Sequence, residues 1–151
     1  MKKAKDFITR DLTSVTEDTP LKEAAEIISW RAFSGIPVVN NENEVTGYIS
    51  ERNILTAIFP EQIKIENPDV INIASLTQVI TKLRQVGDAL VKDYMNKSPV
   101  LATEDTPATD MANLMINSNI KRLPVVRNRK LVGVVDRANL SRILIEGGSL
   151  D

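Results

Sequence analysis

In Gly47-Tyr48-Ile49-Ser50-Glu51-Arg52-Asn53 an apolar run leads straight into a helix-forming stretch that begins at Ser50. The start of a helix presents unpaired N–H groups and the positive end of the backbone dipole, which together make an anion site. The Ser50 hydroxyl adds a donor for a phosphate oxygen, and Arg52 a charge-assisted contact. Asn53 lies one turn on, on the same face, where its amide can bond a further polar group of the same ligand. A second stretch, Gly133-Val134-Val135-Asp136-Arg137-Ala138-Asn139, has the same plan with Asp136 at the helix start. Aspartate caps a helix as well as serine does, but its fixed charge repels phosphate. Arg122 and Arg137 can offset that charge, or Asp136 can help hold a divalent cation beside a phosphate. The plain alternative in both places is a capped helix with no ligand.

Composition narrows the chemistry further. The chain has 151 residues, 42% hydrophobic and 26% charged, with Lys+Arg 19 against Asp+Glu 20. That suits one ordinary domain or two small modules sharing a core. With no Cys and no His, thiolate nucleophiles, disulfides, zinc ribbons and histidine-based catalysis are excluded. No base–nucleophile pair stands out, so the chain is expected not to be an enzyme and to need no cofactor or metal. The near-zero net charge makes no case for nucleic acid, and no apolar run has the length of a membrane span or signal region. A cytoplasmic protein is expected.

Both motifs belong to an internal repeat. Thr16-Glu17-Asp18-Thr19-Pro20 recurs letter for letter as Thr103-Glu104-Asp105-Thr106-Pro107, an offset of 87. Ile36-Pro37-Val38-Val39 matches Leu123-Pro124-Val125-Val126 at that offset, and Val45–Ile49 matches Leu131–Val135 at 86. The lost residue falls in a turn, where a length change is tolerated. In each copy a Thr-Pro helix start (Thr19 and Thr106 as caps, Pro20 and Pro107 as first helical residues) opens a helix. Leu21, Ala24, Ala25, Ile28 and Ala32 carry its apolar stripe in copy one, Ala108, Met111, Ala112 and Met115 in copy two. A hairpin and a second helix follow, the latter from Ser50 to about Phe59 and from Asp136 to about Glu146. A short strand near Ser14-Val15 or Val100-Leu101 precedes each first helix, giving β-α-β-β-α twice. The expected boundaries are repeat one at 1–59, a linker at 60–89, repeat two at 90–147 and a frayed tail at 148–151. Leu76, Val79, Ile80 and Leu83 place an amphipathic helix in the linker, which caps the core or docks on a partner.

This order of elements, with the apolar-Pro-Val-Val strand and the Gly-x-x-[Ser/Thr]-x-x-[Asp/Asn] ending, resembles the tandem cystathionine-beta-synthase (CBS) domain pair, or Bateman module, here expected to stand alone. The resemblance implies an α+β fold, two CBS repeats packed as a pseudo-two-fold pair with clefts between them. It also implies adenosine-containing ligands (AMP, ADP, ATP, sometimes S-adenosylmethionine, with or without Mg²⁺), a homodimer, and a regulatory role exerted on a partner protein. In the family the Ser/Thr holds phosphate and the later acid holds ribose; Asn53 in place of the acid weakens the ribose contact. Thr13 and Gly35-Ile36-Pro37 fall where family members touch adenine or ribose. The preferred site is therefore Thr13, Gly35, Ile36, Pro37, Ser50, Arg52 and Asn53. The weaker one is Arg122, Leu123, Pro124, Asp136, Arg137 and Asn139. The competing reading is an interaction module with vestigial clefts.

Two further features have plain readings. Trp30 and Phe33, which have no aromatic counterparts in copy two, default to core or interface packing, with stacking on adenine as the alternative. The seven basic residues among 121–142 (Lys121, Arg122, Arg127, Arg129, Lys130, Arg137 and Arg142) lack the aromatics that stack bases. Arg127-Asn128-Arg129-Lys130 reads as a solvated hairpin turn, and nucleic acid is disfavoured.

Overall fold

A computed structural model describes residues 1–59 and 73–151 of the chain. Each half runs through a helix, a hairpin and a second helix. In the first these are α1 (Leu21–Arg31), β1 (Gly35–Val39), β2 (Val45–Ser50) and α2 (Glu51–Ile58). The helix α3 (Ile73–Asp88) and a single turn, α4 (Val91–Tyr94), lead to β3 (Ala102–Thr103), α5 (Ala108–Ser118), β4 (Arg122–Arg127), β5 (Lys130–Asp136) and α6 (Arg137–Gly147). β1 and β2 are antiparallel, as are β4 and β5, and β3 runs parallel to β4. The expected strand at Ser14-Val15 shrinks to one bridge between Val15 and Val38. Its counterpart lies at Ala102–Thr103 rather than at Val100-Leu101. No described helix is long and apolar enough to cross a membrane.

The letter-for-letter repeat turns out to be a docking strip. Thr19 and Thr106 do not cap their helices; their Oγ1 atoms accept from the amides of Thr16 (3.0 Å) and Thr103 (2.9 Å), closing a turn. Pro20 and Pro107 stand at the cap positions instead. The first helical amides are satisfied from the other half: Leu21 N–H donates to Ala89 O (2.8 Å) and Ala108 N–H to Lys2 O (3.0 Å). Alongside, Val91 N–H donates to Thr19 O (2.9 Å) and Ala4 N–H to Thr106 O (2.8 Å). A helix start with no capping side chain thus keeps its donors paired.

The segments that lead into each repeat therefore cross over. Ala4 and Phe7 are buried with Ala108, Met111, Met115, Leu123, Val125 and Val135. Val86, Val91 and Met95 are buried with Leu21, Ala24, Ile28, Ile36, Val38 and Ile49. Thr9 exchanges two backbone hydrogen bonds with Val134 on β5, and Asn96 does the same with Tyr48 on β2. Each core is completed by the lead segment of the other half, so neither half closes its core alone. Through Val86, α3 caps the first core, while Leu76, Ile80 and Leu83 of the same helix stay exposed.

The hairpin turns also meet: Val45 N–H donates to Arg129 O and Leu131 N–H to Asn43 O, both at 3.0 Å. Asn128 and Arg129 take left-handed conformations (φ 52° and 71°), as a two-residue hairpin turn requires. The tail is tied down rather than frayed, since Lys2 N–H donates to Leu150 O. Trp30 lies outside the core, 87% exposed. Two residues beyond the buried Ile28 is the opposite side of a helix with 3.6 residues per turn.

Candidate functional site

Two clefts open where the halves meet. The larger, about 620 Å³, is lined by Ser50–Asn53 and Tyr48 of the first half and by Asn96, Pro99, Val100 and Ser118–Lys121 of the second. The smaller, about 420 Å³, is lined by Arg31–Ser34 of the first half and by Lys121, Arg122 and Asp136–Ala138 of the second. Each cleft thus pairs the helix start of one repeat with the helix-to-strand turn of the other.

In the larger cleft Ser50 and Asn53 hold each other in a capping box. The Asn53 amide N–H donates to Ser50 Oγ (3.1 Å), while Asn53 Oδ1 accepts from Ser50 N–H (3.0 Å) and from the Ser50 hydroxyl (2.9 Å). The Asn53 NH₂ group stays available to an acceptor, and Ser50 Oγ can turn its proton to a ligand if Asn53 yields it. Glu51 N–H is taken by Ser34 O (2.9 Å). Arg52 is exposed at the rim.

The smaller cleft is built around an arginine. Arg122 is only 7% exposed. Its Nη1 donates to Asp136 Oδ1 at 2.8 Å, its Nη2 lies 3.9 Å from Asp11 Oδ2, and its guanidinium stacks on Phe33, 3.6 Å from the ring centre. Arg31 reaches the same ring at 5.2 Å and pairs with Asp11. Such an arrangement satisfies a buried cation from several sides, although Nε finds no partner among the described residues. Asp136, at the cap position of α6, makes no capping hydrogen bond. The arginine takes the carboxylate that the helix start would otherwise use. Asp11 accepts from Thr13 Oγ1 (2.6 Å) and Thr13 N–H (2.9 Å), and the Thr13 hydroxyl followed by Arg31 holds its carboxyl below the usual range.

The sequence-derived residues divide between these places. Ser50, Arg52 and Asn53 meet in the larger cleft. Thr13 stands beside Asp11, on the side of the smaller one. Gly35 pairs with Ser50 across β1 and β2; Ile36 is fully buried in the core, and Pro37 is buried opposite Tyr48. Arg122, Asp136 and Arg137 line the smaller cleft, whereas Leu123 and Pro124 are buried in β4. Asn139 accepts from Arg142 (2.7 Å) and forms no capping box. Phe33 packs against the first core and also carries the Arg122 guanidinium on its ring. Asp11 escaped the sequence reading, whereas Tyr48 and Lys121 stood in the first motif and in the basic stretch without being assigned to a site. The signal for Tyr48 was its place inside the first motif, where copy two has Val134. The Tyr48 hydroxyl donates to Arg122 O (3.3 Å), and burial pushes its proton affinity well up. No cluster of three or more acidic, His or Cys side chains suited to a metal occurs among the described residues.

The geometry has close parallels. The CBS domain pattern matches residues 4–60 and 91–146. Protein MJ1426 of Methanocaldococcus jannaschii is 30% identical over 152 residues, covering 93% of this chain and 90% of its own. The chloroplastic CBS domain-containing protein CBSX1 of Arabidopsis thaliana is 28% identical, covering 93% and 63%. Inosine-5'-monophosphate dehydrogenase of M. jannaschii is 29% identical over a region that is 22% of that enzyme. Among solved structures, CBSX2 in complex with AMP superposes with a TM-score of 0.73 at 25% identity, covering 97% of this chain and 98% of that one. Two pattern matches, a crossed pair of β-α-β-β-α halves and clefts between them leave one assignment: the chain belongs to the CBS domain family, as a tandem pair of CBS repeats.

Proposed function

We propose that this CBS pair is a cytoplasmic regulatory module, not an enzyme, that binds an adenosine-containing ligand of the AMP/ADP/ATP class in the larger cleft and signals occupancy to a partner. The observation that carries the reading is the facing of Ser50–Asn53 at the start of α2 against Asn96–Val100 and Ser118–Lys121 of the other half. A ligand seated there touches both halves, so binding favours the arrangement in which the cleft is closed. The AMP complex of CBSX2 supports the ligand class. A homodimer is part of the proposal: Trp30, Leu55, Ile116 and Ile145 are large apolar side chains left exposed on the helices.

Thermal unfolding against AMP, ADP, ATP and S-adenosylmethionine, with and without Mg²⁺, tests the proposal. A ligand at 100 times its dissociation constant stabilises by about 2.7 kcal/mol. At roughly 2–4 °C per kcal/mol for this size the midpoint rises by about 5–10 °C. Asn53→Ala reduces the shift and Asn53→Asp, which keeps the capping geometry, restores or enlarges it. A flat response to every ligand at millimolar concentration removes the proposal. It would favour the interaction-module reading, for which the mutual bonding of Ser50 and Asn53 is the supporting observation.

A further inference from the structure

The helices of the two halves leave unlike faces in water. Between α1 and α2 runs an apolar groove of about 450 Å³, lined by Ala25, Ser29, Ala32, Ile54, Leu55 and Glu51 among others. Trp30 stands next to Ser29, 87% exposed, and Leu55 is 56% exposed. The offsets of the repeat carry these positions onto α5 and α6. Ser29 is matched by Ile116, which is 70% exposed, and Trp30 by Asn117; Leu55 is matched by Ser141, and Glu51 by Arg137. Where the first half has a small side chain the second has a large one, and the reverse. The charges exchange as well. Among the described residues Glu51 makes no ion pair, and the Arg137 guanidinium donates to the neutral Asn119 at 3.2 Å.

These exchanges decide how two copies can meet. The halves share one backbone frame, so a contact across a local two-fold sets positions near the axis against their own counterparts. If like halves met, groove would lie on groove, Ile116 on Ile116 and Glu51 on Glu51. That leaves a void on one side and sets like charges together, and both are costly. If unlike halves meet, Ile116 enters the groove at Ser29, Trp30 covers Asn117, Leu55 covers Ser141, and Glu51 reaches Arg137. The two-fold of the whole dimer then uses this contact twice. Trp30, Leu55, Ile116 and Ile145 leave enough side chain in water that covering them in both copies buries roughly 1,200 Å², the low end of a specific interface.

We infer that the groove between α1 and α2 is the seat of a second copy of this chain, with the first half of each copy on the second half of the other and Ile116 as the inserted side chain. That a homodimer forms rests on the function proposed above; the pairing of unlike halves rests on the four exchanged positions.

Because the chain has no cysteine, single introduced thiols report the pairing directly. Ser29→Cys and Ile116→Cys, both at exposed helix positions, are oxidised mildly, each alone and then mixed. Unlike halves in contact give a covalent dimer holding one chain of each variant, and neither variant bridges to itself. In sedimentation the native chain is a dimer. Ile116→Glu, which sets a carboxylate in the apolar groove beside Glu51, weakens that dimer by about tenfold or more, with the circular dichroism of the folded chain unchanged. Self-bridging of either single variant, or a native dimer that gives no bridge in the mixture, overturns the pairing of unlike halves while the homodimer stands. So does an Ile116→Glu dimer as tight as the native one. A native chain that stays monomeric at high concentration refutes the homodimer itself, and this pairing with it.

Discussion

Gly133 shows how tightly the crossing segments are fitted. A Cβ built there lies 2.5 Å from Thr9 O and 2.6 and 2.7 Å from two carbons of Ile8. The oxygen belongs to backbone, so it cannot swing aside as a side chain would. It is also one end of the paired hydrogen bonds between Thr9 and Val134, at 2.9 and 3.0 Å. Gly133→Ala therefore forces the lead segment off β5. Weakening two hydrogen bonds costs about 0.5–1.5 kcal/mol each, and overpacking at Ile8 adds about 1–3. With partial relaxation, about 3 kcal/mol is lost and the midpoint falls by about 6–12 °C. Gly47→Ala is milder, because its nearest neighbour is the flexible Met95 Sδ at 2.6 Å, with Asn96 O at 2.9 Å. Gly87, in α3, has nothing nearer than Lys22 Cβ at 3.9 Å. Gly87→Ala gains roughly 0.5–1 kcal/mol from the lower entropy of the unfolded chain. Thermal unfolding of the three variants should rank them Gly133→Ala, Gly47→Ala, native, Gly87→Ala in rising midpoint. If Gly133→Ala melts within a degree or two of the native protein, the lead segment is not seated on β5 as described.

Two further outcomes follow from local geometry. Ala32 ends α1 in a left-handed conformation (φ 53°), where its counterpart in copy two is Asn119 (φ 50°); Ala32→Gly should raise stability by about 1 kcal/mol, seen as a midpoint about 2–4 °C higher. Asp11, held below its ordinary value of 3.8 by Thr13 first and Arg31 after, contributes stability that is present above that value and lost as pH falls through its lower native one. Asp11→Asn should therefore melt below the native protein at pH 7, and the gap should narrow in acid; a gap that does not narrow as pH falls below 3.8 would refute the assignment.

The fold was largely legible because its pattern occurs twice. A hydrophobic stripe such as Leu21, Ala24 and Ile28 is ambiguous once, but with Ala108, Met111 and Met115 at one offset it fixes the order of elements. The crossing of the lead segments was hidden, since Ala4 and Phe7 carry no local sign of the core they fill. For the same reason Thr19 and Thr106 read as caps: the donors they were meant to satisfy are met by Ala89 and Lys2, far away in sequence. The helix starts of both clefts were legible as strand–helix junctions. What lay outside sequence reasoning was which turn faces which helix. That pairing places Thr13 with Asp11 and Arg122 rather than with Ser50. The expected linker at 60–89 lies partly outside the described residues, and its helix is described from Ile73 onward.

The difference between the clefts is a correlated replacement in a conserved frame of backbone bonds. Glu51 N–H to Ser34 O has its counterpart in Arg137 N–H to Lys121 O, both 2.9 Å, so the backbone treats the two helix starts alike. The side chains do not. Gly35 and Tyr48 go together, because a Cβ at Gly35 would lie 2.5 Å from the Tyr48 ring. At the matching positions copy two has Arg122 and the smaller Val134, so the long side chain stands where the ring of a tyrosine does not. Arg122, once buried, needs a carboxylate, since an unpaired buried cation is strongly destabilising; Asp136 provides it from the place Ser50 holds in copy one. The three exchanges (Gly35 to Arg122, Tyr48 to Val134, Ser50 to Asp136) therefore depend on one another sterically and electrostatically. Tyr48 also bonds the Arg122 carbonyl from within the larger cleft, which ties the neutral cleft to the charged one through a single residue.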